Sequence, residues 1–488
     1  MSLLNGIDLA DVVPACVPLG PDGVTAVEEV ALRDLTERFG TPLWVISRAQ
    51  LEANFRELSE AFARHHERFE IAYSMKANNN RVVIRVLTGS GALIDCSSEH
   101  ELALAVMAGV TADRIIVNGN GKSPAYLDAA VRHGVRQVNV DSMAEAERLS
   151  RIAVEHGVRV RCVVRLKLNY ARLLAKDPAY ERTLRVAEAK FGSSVESGEA
   201  LRLVARLRDD PLLDYVGVSH HAGFAGYRAD YTAERQLMHI EECTRALCEF
   251  ARDAKAELGV ETHRVDVGGG LRSGHNMLLS TPGASTDAAL HPLPSADQYA
   301  AAVAAGVAAA ELRDPAPVVQ METGGFQVGN AVLLLAGVLD VKDVEHLSRR
   351  RFVTLDAAMT MFVTRGLTRV GFPAAVVGRG PDEPVTDIPV ELVGPTCAYD
   401  SIAEDIGLPD VFPGDLVVLL NQGAYCEVMS TQFNALPRPA VVLIEGSSAS
   451  LVRRRETLAD IVARETSAFD PLAAADGDRA LPTRVRRA

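Results

Sequence analysis

The chain has no uninterrupted apolar run of about 18 residues, the length a membrane-spanning helix needs. It has no CxxC pair. Its seven cysteines, at 16, 96, 162, 243, 248, 397 and 426, are scattered and odd in number, which argues against a zinc ribbon and suits a reducing compartment. A basic excess is also missing: 51 Lys and Arg against 64 Asp and Glu give a net charge of −13. That disfavours a general nucleic-acid binder and leaves only a local basic patch open. The opening run MSLLNGIDLADVVPACVPLG lacks a basic segment followed by an apolar one, so no signal peptide is expected and the cytoplasm is the expected location. No internal repeat is visible. What is present is bulk: 488 residues, 48% apolar, enough for two or three domains and too apolar for whole-chain disorder.

From about residue 45 to 330, short apolar runs alternate with longer helical stretches. Candidate strands lie at 70–74, 92–95, 115–118, 137–140, 161–166, 215–219, 264–267 and 318–322. Helical patterns separate them; ERQLMHIEECTRALCEFARDAKAELGV places Leu237, Ile240, Leu247 and Phe250 on one face. Eight strands with intervening helices predict a (β/α)8 TIM-like barrel over 45–330. A doubly wound open sheet is the structural alternative, because strand count does not establish closure. From about residue 335, runs such as VLLLAGVLDVK, RFVTLDA, DLVVLLNQ and PAVVLIEG predict an antiparallel β-rich domain over 331–465. Residues 1–44 are assigned to it, and TPLWVIS is a strand-like run available to join it. The Ser-, Pro- and Gly-rich segment 272–295 reads as a mobile insertion, and 466–488 as a flexible tail.

Several residues could carry chemistry. Lys76, in YSMKANNN, directly follows the first strand. A loop lysine is most often merely solvated. At the catalytic end of a barrel, however, desolvation would lower its pKa and free the amine to bond covalently to a carbonyl. Gly268, Gly269 and Gly270 follow the seventh strand; such a run is often just a turn, but here its N–H groups would cradle a phosphate. A barrel-mouth lysine with a late phosphate loop suggests pyridoxal phosphate. Glu322 ends the eighth strand, where a buried carboxylate needs a partner; an arginine would serve structurally, and a protonated pyridine nitrogen functionally. His220 and His221 follow the sixth strand and should point to opposite faces, so no shared metal is expected; one could lie against a cofactor ring. Cys397, in GPTCAYDSIAED, sits on a loop where a thiol could exchange protons, although most cysteines are inert core residues. Tyr425, more commonly a core type, could offer its hydroxyl to a phosphate.

Nine segments, in order, resemble those of the fold-type III pyridoxal-phosphate decarboxylases, the diaminopimelate/ornithine/arginine decarboxylase family: YSMKANNN, DCSSEHEL, KFG at 190–192, GVSHHAGF, DVGGGL, LDAAMT, GPTCAYD, PGDLVVLLNQGAY and STQFNALPRP. The resemblance runs from about residue 25 to 445 and implies the barrel-plus-β-domain architecture shared with alanine racemase. It implies that Lys76 carries the cofactor, His221 stacks on its ring and Glu322 holds the pyridine nitrogen. Gly268, Gly269, Gly270 and Tyr425 would bind the phosphate, with Asp95 and Arg165 lining the site and Gly324 among the cofactor contacts. Cys397 would come from the partner subunit of a homodimer with shared active sites and return a proton to the product. The implied substrate is an amino acid or a close relative, with Arg365 and Asp400 as candidate contacts.

Three departures bear on the substrate. Family members commonly carry Glu-Pro-Gly-Arg at the eighth strand, and in the diaminopimelate enzymes that arginine holds a substrate carboxylate. Here the run is Glu322-Thr323-Gly324-Gly325. The residue after the cysteine is usually acidic and receives the distal amine; here it is Ala398, with Asp400 two positions on in a loop one residue short. Where a phosphate-binding serine often follows the stacking histidine, this chain has Phe224. These changes lead us to expect a decarboxylase of a modified or conjugated amino acid in specialised biosynthesis. The alternatives are a diaminopimelate decarboxylase proper, an amino-acid racemase, and a non-catalytic pyridoxal-phosphate carrier.

Overall fold

The computed structural model describes residues 2–4, 7–8, 11–169, 173, 190–221, 232–274, 276–279, 289–312, 316–345, 349–363, 371–380, 383–398 and 401–465. Eight parallel strands form the barrel: β1 Phe69–Ser74, β2 Leu93–Cys96, β3 Ile115–Val117, β4 Gln137–Val140, β5 Val160–Lys167, β6 Leu213–Ser219, β7 Arg264–Asp266 and β8 Val318–Thr323. They pair in the order β4-β3-β2-β1-β8-β7-β6-β5, and β4 pairs with β5 through Val138 and Cys162. That last pairing closes the cylinder and excludes the open sheet. All eight expected segments are strands. Their runs are almost continuously buried, as parallel strands covered by helices must be. At the base, Glu70 lies between the guanidinium groups of Arg136 and Arg264.

The surrounding helices begin where the sequence supplies caps. Ser47, Ser98, Ser123, Ser142 and Thr232 each accept a hydrogen bond from a backbone N–H of the first turn, satisfying donors the helix itself leaves unpaired. Helix Ala233–Leu258 buries Ile240, Leu247 and Phe250, with Leu237 packed against the same core, as its periodicity predicts. No described helix is long and apolar enough to cross a membrane.

Among the described residues the separate second sheet has nine strands and is mostly antiparallel. Its spine is Val332–Val344, flanked by Leu43–Ser47, Arg350–Leu355 and Leu416–Leu419. TPLWVIS does join it, and every residue of Leu43–Ser47 is buried. Two pairings are parallel, Leu43–Ser47 with Ala440–Glu445 and Arg350–Leu355 with Val390–Val393. A strand far from its partner in sequence needs no hairpin and takes either direction. Segment 272–295, expected to be a mobile insertion, carries a two-stranded hairpin of Asn276–Leu279 with Ala289–Pro292. The expected tail, 466–488, lies outside the described residues.

The two parts meet at the carboxyl ends of the barrel strands. Tyr425 donates its backbone N–H to the Ala77 carbonyl at 2.8 Å, and Gly423 donates to Gly329 at 3.0 Å. A Cβ at Gly423 would overlap the Val328 carbonyl, so only glycine lets the β domain approach this closely.

Candidate active site

Lys76 stands one turn beyond β1, half-buried, among Asp95, Glu322, Tyr425 and Arg165, all within electrostatic reach of its amine. Burial lowers its pKa, but Asp95, Tyr425 and Glu322 outweigh burial and leave the net shift upward. This corrects the expectation of a depressed amine: the anionic lining, not desolvation, dominates around this lysine. Asp95, at the end of β2, is fully buried and accepts from the Ser74 hydroxyl and from Asn118 Nδ2, the latter at 2.8 Å.

Glu322 is buried at the end of β8 with several partners. Asn118 donates to its Oε1, Asn139 donates to the same atom at 3.3 Å, and the Asp266 carboxyl is hydrogen-bonded to it. Two carboxyls in one dry site cannot both ionise. Burial, then the Glu322 charge, drives Asp266 well above the ordinary carboxylate range, and burial with the Asp95 charge also raises Glu322, so the pair shares one proton, which Asp266 keeps and donates to Glu322. The other Asp266 oxygen, Oδ1, accepts from Gly268 N–H at 2.9 Å, tying this pair to the glycine run.

The run itself is forced to be glycine. Gly268 and Gly270 have φ of +70° and +122°. A Cβ at Gly268 would overlap the His220 carbonyl, and one at Gly269 the Glu322 carbonyl. Gly324 faces the first loop, where a Cβ would come within 2.9 Å of Ala77 Cβ. The ring nitrogen Nε2 of His221 lies 3.7 Å from the Cβ position of Gly269, so His221 stands over this run. His220 instead turns into the protein, and burial with the Arg165 charge pushes it down to about 3. Burial, then the charges of Lys76 and Arg165, holds His221 well below the usual imidazole range, so both rings are neutral. The Arg165 guanidinium lies 4.4 Å over the Phe191 ring of the KFG segment.

Lys76, Asp95, Arg165, His221, Gly268, Gly269, Gly270, Glu322, Gly324 and Tyr425 are thus gathered at one end of the barrel. Cys397 is not among them. It is exposed, its Sγ lies 3.7 Å from the Asn434 amide, and among the described residues no contact joins it to the Lys76 group. Arg365, Asp400 and Phe224 lie outside the described residues.

Five buried polar residues around the site escaped the sequence reading: Asn118, Asn139, Asp266 and the ion pair of Lys122 with Glu145, 2.7 Å apart. The signal for the strand residues was available. In QVNV and VVQMET, polar residues recur at every second position, Gln137 and Asn139, then Gln320 and Glu322. In a strand buried on both faces, that alternation marks the side turned into the barrel. Gln137 Nε2 reaches Gln320 Oε1 at 2.9 Å across that interior.

A closed parallel barrel carrying a lysine after β1, a glycine cradle after β7 and a buried carboxylate ending β8, joined to a β domain, defines a fold-type III pyridoxal-phosphate decarboxylase. Residues 48–328 match the family model of the pyridoxal-binding domain of pyridoxal-dependent decarboxylases, and the chain belongs to that family. The diaminopimelate decarboxylase of Mycobacterium tuberculosis is 33% identical over 454 residues, covering 91% of this chain and 95% of the relative. That of Methanothermobacter thermautotrophicus is 32% identical over 435 residues, 88% and 92% of the two chains. Among solved structures, M. jannaschii diaminopimelate decarboxylase in complex with L-lysine superposes with a TM-score of 0.80 at 27% identity, over 93% of this chain and 98% of that one. The protein is therefore a pyridoxal-phosphate-dependent carboxy-lyase. Its residues fit the cofactor: the run 268–269 is a cradle that a Cβ would fill, and Glu322 is a buried carboxylate held by neutral donors.

Proposed function

We propose that the protein removes the α-carboxylate of an amino acid of the diaminopimelate class. What carries this reading is the end-to-end relation to enzymes named for that substrate, together with the Lys76–Glu322 site. It displaces a modified or conjugated amino acid as the leading substrate. That second reading keeps one specific support, Gly325 and Ala398, which offer no charge to a distal group.

In this reading Lys76 would be the residue that holds the cofactor. Bound pyridoxal phosphate supplies the conjugated sink for the electron pair left on Cα when CO2 departs. Glu322, hydrogen-bonded by Asp266, Asn118 and Asn139, would hold the pyridine nitrogen, and neutral His221 would pack against the cofactor ring. Gly268, Gly269, Gly270, Gly324 and Tyr425 receive the phosphate, and Asp95 and Arg165 set the charge around Lys76. Cys397, exposed on each chain, is delivered by a second copy and protonates Cα; Arg365 and Asp400 are the candidate contacts for the distal end. The working form is a homodimer, in a reducing cytoplasm where its scattered cysteines remain thiols.

The test is CO2 release from meso-diaminopimelate, L-lysine, L-ornithine and a panel of conjugated amino acids, with Lys76→Ala as control. A kcat/KM of about 10⁴ M⁻¹s⁻¹ or more on meso-diaminopimelate, far above the other two diamines, is expected. A loss of roughly 10²–10³ on all three relative to a conjugated substrate, as an unpaired distal charge would impose, hands the assignment to the second reading.

A further inference from the structure

The family resemblance sets an arginine at position 325 and a serine at 224, where this chain has Gly325 and Phe224. By the resemblance the arginine would hold a substrate carboxylate and the serine the cofactor phosphate, so two oxyanion contacts are gone from this end of the barrel. The loss at 325 is not dictated by packing. A Cβ there would meet the Leu271 carbonyl at 3.6 Å and Arg272 Cγ at 3.8 Å, ordinary van der Waals distances, and Gly325 has no positive φ. This contrasts with Gly269 and Gly324, where a side chain is shut out. The space beside Gly325 is instead bordered by the stem of Arg272, two residues past the glycine run.

That segment is fastened in place. Ser273 Oγ accepts from Asn330 N–H at 3.0 Å and donates to the Gly325 carbonyl at 3.4 Å. Arg272 thereby lies along the turn that carries Gly325. Its charge also reaches Cys426, the neighbour of Tyr425: burial pushes that thiol up, and Arg272 is the charge that opposes the rise. The Arg272 stem thus lies beside Gly325, with its charge within electrostatic reach of Cys426, next to Tyr425.

We propose that Arg272 is the cationic anchor for the cofactor phosphate, supplying from the loop after β7 the charge that position 325 lacks. A guanidinium offers forked N–H donors to a phosphate, and such charge-assisted pairs are the strong ones.

The inference rests on the cofactor assignment above and is tested by binding rather than turnover. Apo-protein is titrated with pyridoxal phosphate and, separately, with pyridoxal, which lacks the phosphate, following the absorbance of the lysine-bound chromophore. Arg272→Gln should weaken pyridoxal phosphate about ten- to a hundredfold and leave pyridoxal unchanged, the size expected for one charge-assisted pair. Gly325→Arg added to Arg272→Gln should restore most of the loss, a rescue that a merely structural role would not give. Far-UV circular dichroism confirms that the variants are folded. Unchanged affinity for pyridoxal phosphate in folded Arg272→Gln overturns the proposal, including the case in which only the substrate KM rises. Wild-type protein that binds neither compound at Lys76 overturns the cofactor site itself, a distinct result.

Discussion

Asp266 shows how one residue sets the charge of another. It is fully buried, donates to Glu322 and receives the Gly268 N–H at 2.9 Å. Its folded pKa lies well above the ordinary 3.8, so the folded chain holds a proton that the unfolded chain releases once pH exceeds that value. Stability should then fall as pH rises toward the folded pKa, by about 1.4 kcal/mol per pH step of one. Asn at this position mimics the protonated acid: its carbonyl can accept from Gly268 and its amide can donate to Glu322. Asp266→Asn apo-protein should therefore lose less stability than wild type between about pH 5 and pH 8, measured by urea denaturation midpoints. Identical slopes for the two proteins would place the shared proton elsewhere.

Among the elements, the turns after β7 and β8 are built by opposite rules. At Gly269 a methyl group collides with the Glu322 backbone, which cannot move without breaking β8. Gly269→Ala should cost about 1–3 kcal/mol or more and empty the cofactor site. At Gly325 the surroundings accept a Cβ, and Gly325→Ala should be neutral or stabilising by about 0.4–1 kcal/mol, because alanine loses less chain entropy on folding. Urea midpoints of the two variants compare these directly. A tolerated Gly269→Ala would show that the cradle is looser than its geometry implies. The strands themselves were legible in sequence because parallel strands are short apolar runs between stretches of helical periodicity. Their inward polar positions were missed because they were read for apolar content and not for alternation.

For the whole molecule, the decisive feature is where Cys397 sits. It is exposed and lacks contact with the Lys76 group among the described residues, whereas the proposed role requires it at the reacting carbon. A two-fold dimer reconciles these, because each copy then donates its cysteine to the other. Mixing inactive Lys76→Ala with inactive Cys397→Ala chains, with subunit exchange, should regain about a quarter of wild-type activity, since half the dimers are mixed and each has one intact site. No recovery under conditions where exchange is demonstrated by mass or light scattering would return the cysteine to its own chain.

The sequence alone determined the eight strand segments with their intervening helices, the attached β domain and the cofactor, and its resemblance to a known family brought the reaction class. The elements and the cofactor depend on local signals: apolar runs of strand length, helical periodicity, and Lys76 and Gly268–Gly270 placed just beyond strands, with Glu322 at the end of one. Tertiary structure decided what no local pattern carries. It closed β4 onto β5, inserted Leu43–Ser47 between strands from the far end of the chain, and gave Asp266 the proton that leaves Glu322 charged. It also laid Arg272 beside Gly325 across 53 positions of sequence, 325 less 272. Pairing, shared protons and replacement of one charge by another all depend on distances through space, and those exist only once the chain has folded.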